Sequence, residues 1–422
     1  MAVHHVIGGG TVFHVRPHLA LAAPAYGSLA RAIHERLERA FESAELHLTR
    51  MADRESALET NEDVARLLDR IVADPKSKIV FLTAALVDFA GEVDGLAGKR
   101  APRLKSNQGE RALRMTPLPK LLGRIRKQRK DIFLVACKAT AGESADDQYL
   151  EGLRLLKQSS ANLVLANDVQ TRRQMIITPE QARYHETTDR AEAIDGLVAM
   201  ALARSRGHFT RSTVVAGEPV PWSSPLVPAS LRAVVDHCVA RGAYKPFLGA
   251  TVGHFAARLP DGRILTSRRK TDFNQLRDVG LVLIEPDGDD RVIARGSRPS
   301  VGGQSQRIVF RDHPELDCIV HFHCPLREGA PVPTRSQWAH ECGSHECGEN
   351  TSRGLAPFGP LKAVMLDQHG PNIVFHHDVN PADVVAFIEQ SFDLAARTDR
   401  VPAEVACRYE KEVSRARIHS AR

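Results

Sequence analysis

The spacing of apolar and polar positions changes character about halfway along the chain. In the first half, His4-His5-Val6-Ile7 runs straight into Gly8-Gly9-Gly10-Thr11, a strand closing on a glycine loop. Apolar residues at Leu29, Ile33, Leu37 and Phe41 set a helical period over 27–45, and Val64, Leu67, Leu68 and Ile71 repeat it over 61–73. The short apolar runs 79–82, 132–136 and 163–166 read as buried parallel strands. Helical patterns near 146–158 and 190–205 complete an alternation of strand and helix. The expectation is an α/β fold, with a doubly wound three-layer α/β/α domain over residues 1–206.

Residues 207–228 break the pattern. Pro219, Pro221, Pro225 and Pro228 stand among serines, valines and a glycine, which predicts a linker. Over 229–422 the pattern predicts a helix at 231–241 and strands near 248–258, 263–267, 279–285, 291–295, 317–323, 363–368 and 372–376. Asp261-Gly262 is a hairpin signal. A helix over 381–397 starts with Pro381 and takes Asn380 as its cap. The last twenty or so residues read as a charged helix. Many strands with helices at the ends predict a second α/β domain with a mainly antiparallel sheet.

Composition narrows the class. With 43% hydrophobic and 26% charged residues, the 422-residue chain is neither disordered nor fibrous. It is long enough to bury two cores without disulfides. Seven cysteines, an odd and sparse set, suit a reducing cytosol better than a disulfide framework. No apolar run reaches the length of a membrane span, so no membrane partner is expected. The net charge of +6 admits nucleic acid or small anionic ligands. With 5% aromatics and no concentrated basic run, small phosphorylated or carboxylated substrates are the favoured partners and nucleic acid is not.

Histidine placement points to the chemistry. Eight of 19 histidines fall between His313 and His377, together with Cys318, Cys324, Cys342 and Cys347. His321 and His323 flank Phe322 in a strand pattern, so both imidazoles face one side. His369 precedes Gly370 where an apolar strand meets a turn and can enter from a neighbouring strand. Three imidazoles with an open fourth position make a metal site, zinc first, with manganese, cobalt or iron as alternatives. Three unrelated polar histidines are the competing reading.

These landmarks resemble the class II aldolase/adducin family over about 230–400. The order is Gly249 to Gly253, a hairpin ending Ile264-Leu265-Thr266, Arg298-Pro299-Ser300, the His321/His323 strand and His369-Gly370. The resemblance implies a divalent metal on His321, His323 and His369, and a homo-oligomer, tetramer or dimer. It implies a phosphate cradle of Gly249, Thr251, Gly253 and Ser300. The chain departs from the family in two places. His254 replaces an asparagine, and Val301-Gly302-Gly303-Gln304 carries no acid where the family has one. Arg268 and Arg269 in Thr266-Ser267-Arg268-Arg269-Lys270 either neutralise an anionic substrate or form a solvated turn. In the loop 338–348, Glu341, His345 and Glu346 are candidates for the missing acid/base. Cys342 and Cys347 are candidate extra metal ligands. A thiol-bearing glycine loop without chemistry is the plain alternative.

Residues 1–205 resemble phosphopantothenate–cysteine ligases. The resemblance rests on Gly8-Gly9-Gly10-Thr11, Val15-Arg16, Thr83 to Phe89, Lys105-Ser106, Pro119-Lys120-Leu121, Leu134 to Ala139 and Ala166-Asn167-Asp168-Val169. It implies carboxylate activation with CTP or ATP and magnesium. Glycine-loop N–H groups at Gly9, Gly10 and Thr11 would hold phosphate, Lys105 would add a point charge, and Asp88, Asn167 and Asp168 stand at strand ends. Ala20 and Thr140 fall where that family has an asparagine and an acid, so its own substrate is not expected here.

Overall fold

A computed structural model describes residues 2–300 and 302–420. The chain divides into two compact units, Met1–Thr178 with His185–Ser205, and Pro179–Tyr184 with Arg206–Arg422. Both mix helix and sheet.

The first unit is built on a seven-stranded sheet. Its order is Arg183–Thr187, Gln174–Ile177, Leu163–Asp168, Phe133–Thr140, Ser77–Leu82, Val3–Gly8 and Ala44–Leu48. The strands from Leu163–Asp168 to Ala44–Leu48 run parallel; Gln174–Ile177 returns antiparallel. Val6, Ile7, Val80, Phe81, Leu134, Val135 and Leu165 are all fully buried, because helices cover both faces of a parallel sheet. The helices are Ser28–Arg39, Asn61–Ala73, the short Leu122–Gln128, Ala145–Ser159 and Arg190–Arg204. Asn61–Ala73 starts at Thr60, which makes a reciprocal capping box with Asp63.

One element differs from expectation. The helix predicted to 45 stops at Arg39. Phe41 turns with φ 57° and is exposed, and Ala44–Leu48 forms the outermost strand. A period of four cannot separate a helix end from a turn that leads into an alternating strand.

The second unit carries a ten-stranded, mainly antiparallel sheet. The path runs Arg211–Val215, Arg291–Arg295, Val282–Pro286, Ile264–Thr266, His254–Arg258, Cys318–His321, Gly370–Phe375, Leu361–Leu366 and Thr334–Arg335. Ala356–Phe358 pairs beside Leu361–Leu366. The expected linker therefore contains a strand: Arg211–Val215 runs parallel to Arg291–Arg295. The predicted strand 248–258 splits into a small Pro246–Phe247/Ala250–Thr251 hairpin and the strand His254–Arg258. The helix predicted to 397 ends at Ser391, because Phe392 and Leu394 turn into the core. Asn380 caps that helix, accepting from the Ala382 N–H. Asp261 and Gly262 form the expected turn between His254–Arg258 and Ile264–Thr266. No helix among the described residues is long and apolar enough to cross a membrane.

Candidate functional site

His254 and His321 lie side by side on neighbouring strands, and His369 just precedes the next one. His321 ends the central strand Cys318–His321. It faces His254 in register on one side and Asn372 on the other. His323 lies two residues past the strand end and is buried. His369 sits in the tight connection between Leu361–Leu366 and Gly370–Phe375, where Leu366 and Gly370 pair directly. Its N–H donates to Leu366 O at 3.0 Å.

The three predicted ligands converge. One ring atom from each of His321, His323 and His369 lies within 4.8 Å of the others. His321 Nε2 and His369 Nε2 are 3.2 Å apart. All three rings are almost wholly removed from water. His321 Nδ1–H donates to Pro371 O at 2.7 Å, which leaves Nε2 as the lone-pair nitrogen facing the cluster. Burial pushes the His321 pKa down to about 4, against the opposing effect of its backbone bond. Burial also holds His254 well below its ordinary value. The His321 and His254 rings are therefore neutral at pH 7, and a neutral imidazole is the form that binds metal. A buried all-nitrogen set with two Nε2 atoms 3.2 Å apart fits a zinc-class cation, whose nitrogen ligands stand at about 2.0–2.1 Å.

Two glycines make this approach possible. A Cβ on Gly370 (φ 141°) would stand 2.1 Å from Phe322 O, and one on Gly253 (φ 109°) would stand 2.5 Å from His321 O. A second layer supports the rings. His254 stacks on His321 with centroids 4.6 Å apart, and Gln306 bonds His254 Nδ1. Gln306 is buried and comes from the helix Gly302–Asp312. No motif marked it, because its partner is 52 residues away. Gly302, nearest the slot of the missing family acid, opens that helix, and the preceding Val301 lies outside the described residues.

The other predicted residues are placed differently. Thr251 Oγ1 accepts the Phe273 N–H and holds a turn. Ser300 is buried and accepts from Ser267 Oγ at 3.1 Å. Gly249 has open space where a Cβ would stand. Arg268 donates to Val279 O and Ser297 Oγ, so its charge braces loops, whereas Arg269 is exposed. Among the described residues none of Glu341, Cys342, His345, Glu346 or Cys347 joins a metal-ligating group. His345 Nε2 contacts Thr210 Oγ1 at 2.9 Å, and Glu346 accepts from the His208 N–H and pairs with His208 Nδ1. Cys347 is buried, accepting from Gln337 Nε2. Glu341 is buried. Cys318 and Cys324 are core residues, and burial pushes the Cys324 thiol up to about 11.

A cleft of about 370 Å³ adjoins the triad, lined by Pro325, Arg397, Thr398 and Arg400 among others. Thr398 ties it to the histidines, donating its N–H to His323 O and its hydroxyl to His369 O. No sequence motif marked these residues.

In the first unit a cleft of about 640 Å³ opens where strand ends meet the N-terminus of Ser28–Arg39. Leu29, Asn167, Asp168, Arg172 and Arg190 line it. The predicted nucleotide set is thus divided. Asn167 and Asp168 are there; Gly9, Gly10, Thr11, Asp88 and Lys105 are not among the lining residues. Thr11 is fully buried, donating to Asn61 Oδ1 at 2.7 Å and accepting the Val87 N–H at 2.9 Å. A Cβ on Gly9 or Gly10 would collide with Thr49 or Ala23, so these glycines serve close packing. Asp168 accepts N–H bonds from Gly142, Glu143, Gln170 and Thr171 and a hydroxyl bond from Thr140. The Thr171 N–H leads the bonds that hold its carboxyl below the usual range. Asp88 is exposed and paired with Lys120, and Lys105 is exposed.

Residues 238–326 match the class II aldolase and adducin N-terminal domain family, a segment that includes His254, Ser300, His321 and His323 and stops before His369. The coenzyme A biosynthesis bifunctional protein CoaBC of Thermococcus kodakarensis is 26% identical over 169 residues, 38% of this chain and 40% of that protein. The methylthioribulose-1-phosphate dehydratase of Gluconacetobacter diazotrophicus is 32% identical over 74 residues, 18% of this chain and 35% of that protein. The chain thus spans well under half the length of each curated relative. The DNA/pantothenate metabolism flavoprotein of Streptococcus pneumoniae, a solved structure, covers 48% of this chain and 96% of its own at 16% identity and a TM-score of 0.40. The chain joins a half similar to phosphopantothenate–cysteine ligases to a half similar, over residues 238–326, to the class II aldolase and adducin N-terminal domain.

Proposed function

We propose that this protein is a bifunctional metabolic enzyme. Its C-terminal half performs divalent-metal-dependent lyase, epimerase or dehydratase chemistry on a small phosphorylated or carboxylated substrate. The observation that carries this reading is the convergence of His321, His323 and His369 in one buried cluster. They would hold the metal, zinc first, and a bound cation there supplies Lewis-acid polarisation of a carbonyl or hydroxyl oxygen. The chain's own residues supply the rest. Pro371 O fixes the His321 tautomer, and Gln306 and His254 set its ring plane. Arg400, on the adjoining cleft, would attract an anionic substrate. The name of the dehydratase relative supports a hydroxy-carbonyl sugar phosphate as the first substrate class to try. We further propose a homo-oligomer.

The N-terminal half would activate a carboxylate with CTP or ATP and magnesium in the 640 Å³ cleft, where Arg172 and Arg190 favour anions. A second reading keeps this half as structure only. It is favoured by the Thr11 hydroxyl and the Asp168 carboxylate being spent on internal bonds. Two measurements test the scheme. Metal analysis of the purified protein should show one bound cation lost in both His321→Ala and His369→Ala; unchanged content rejects the triad. Calorimetric titration with CTP and ATP decides the other half, and no heat from either nucleotide leaves the structural reading.

A further inference from the structure

The edge of the first sheet carries a cluster that neither activity uses. His5 on Val3–Gly8 is paired in register with Glu45 on Ala44–Leu48. His47 lies two residues beyond Glu45, and side chains at i and i+2 of a strand share a face. One atom from each residue meets the others. His5 Nδ1 is 3.2 Å from His47 Nε2 and 3.4 Å from Glu45 Oε2. His47 Nε2 is 3.4 Å from the same oxygen. The three atoms form a near-equilateral triangle.

That triangle has the dimensions of a metal site. Ligands about 2.0–2.1 Å from a tetrahedral zinc stand about 3.3–3.4 Å from one another. The supporting contact is also in place: His5 Nε2 is 2.9 Å from Ser77 Oγ. With Nε2–H donated to that hydroxyl, the Nδ1 lone pair faces the centre, as in metal sites whose histidines are oriented through the other ring nitrogen. Without an ion, Nδ1, the carboxylate oxygen and His47 Nε2 would have to share a single ring proton. A divalent cation satisfies all three. Exposure is graded across the cluster, with side chains 4% exposed at His5, 20% at His47 and 57% at Glu45. The site is therefore closed toward the sheet and open outward, where water or a small anion can complete the coordination.

We propose that His5, Glu45 and His47 bind a second divalent transition metal of the zinc or iron(II) class, which clasps the outermost strand to its neighbour. Both histidines and the carboxylate belong to the first unit, so this site shares no residue with the His321 cluster.

The test is equilibrium dialysis of the full-length protein against micromolar free zinc, followed by metal analysis of wild type, His47→Ala and Glu45→Gln. Each variant should hold one zinc equivalent fewer than wild type. The cobalt(II)-loaded wild type should show visible ligand-field absorption, of which His47→Ala loses one site's share. Equal zinc content in all three proteins would overturn the proposal. Circular dichroism reports folding. If His47→Ala unfolds, Glu45→Gln alone decides, because that side chain is largely in solvent. His321→Ala separates the two sites: a failed triad leaves its zinc content unchanged, while the loss in Glu45→Gln still stands.

Discussion

Gly370→Ala should cripple the triad without touching a ligand. Gly370 has φ 141°, a region L-residues avoid, and its added Cβ would stand 2.1 Å from Phe322 O, 3.1 Å from Phe322 C and 3.2 Å from His323 Cα. Ordinary contact begins at 3.4 Å, so the Phe322 carbonyl must retreat by about 1.3 Å, the difference between those distances. Metal sites tolerate ligand shifts of only about 0.2 Å. The atoms that must move belong to the backbone joining His321 to His323, two of the three ligands. Backbone strain costs about 1–3 kcal/mol, and the forced displacement adds to it. Gly262→Ala is the control: φ is 84° with open space around the Cβ position, so it costs only the about 1–2 kcal/mol of a left-handed residue. Urea unfolding and zinc titration of both variants make the comparison. The expected result is a larger stability loss for Gly370→Ala and zinc binding at the triad weakened by at least about 10-fold, the lower end of effects seen when supporting groups are removed. Wild-type zinc affinity in folded Gly370→Ala would refute the claim that this glycine sets the approach of the two strands.

Other expectations concern the groups spent on structure. Thr11→Val keeps the shape but orphans Asn61 Oδ1 and the Val87 N–H. At about 1–3 kcal/mol for each buried group left unpaired, chemical denaturation should show a loss of about 2–6 kcal/mol. Asp168 has a folded pKa below its unfolded value near 3.9, so its contribution is full above that value and is lost as pH falls through and below it. Asp168→Asn should lower stability at pH 7 and flatten the wild-type decline below about pH 4 in acid-titration melts. Glu346→Gln should leave zinc content and turnover unchanged and cost less than about 1 kcal/mol, because its partner His208 is exposed. Lost turnover with zinc retained would return Glu346 to the chemistry.

The sequence determined the two fold types and singled out the three histidines that the fold brings together. Alternating elements with fully apolar short runs admit little besides a covered parallel sheet, and the His321/His323 spacing with a glycine-flanked His369 is a local signal. It also marked the glycines at 8–10, 253 and 370, though not their purpose. Only the tertiary structure decided what each polar group faces. Thr11, Asp168 and Arg268 carry the right chemistry for ligands, yet their partners, 50, 28 and 29 residues away in some cases, had already consumed them. His345 and Glu346 stood out as an active loop, and the fold gives them Thr210 and His208 as partners. Gln306, Thr398 and the His5–Glu45–His47 triangle were invisible because each depends on pairings between distant segments. A residue's capacity for chemistry is local and can be read along the chain. Its availability depends on which distant donor or acceptor reaches it first, and that is settled only when the strands pair.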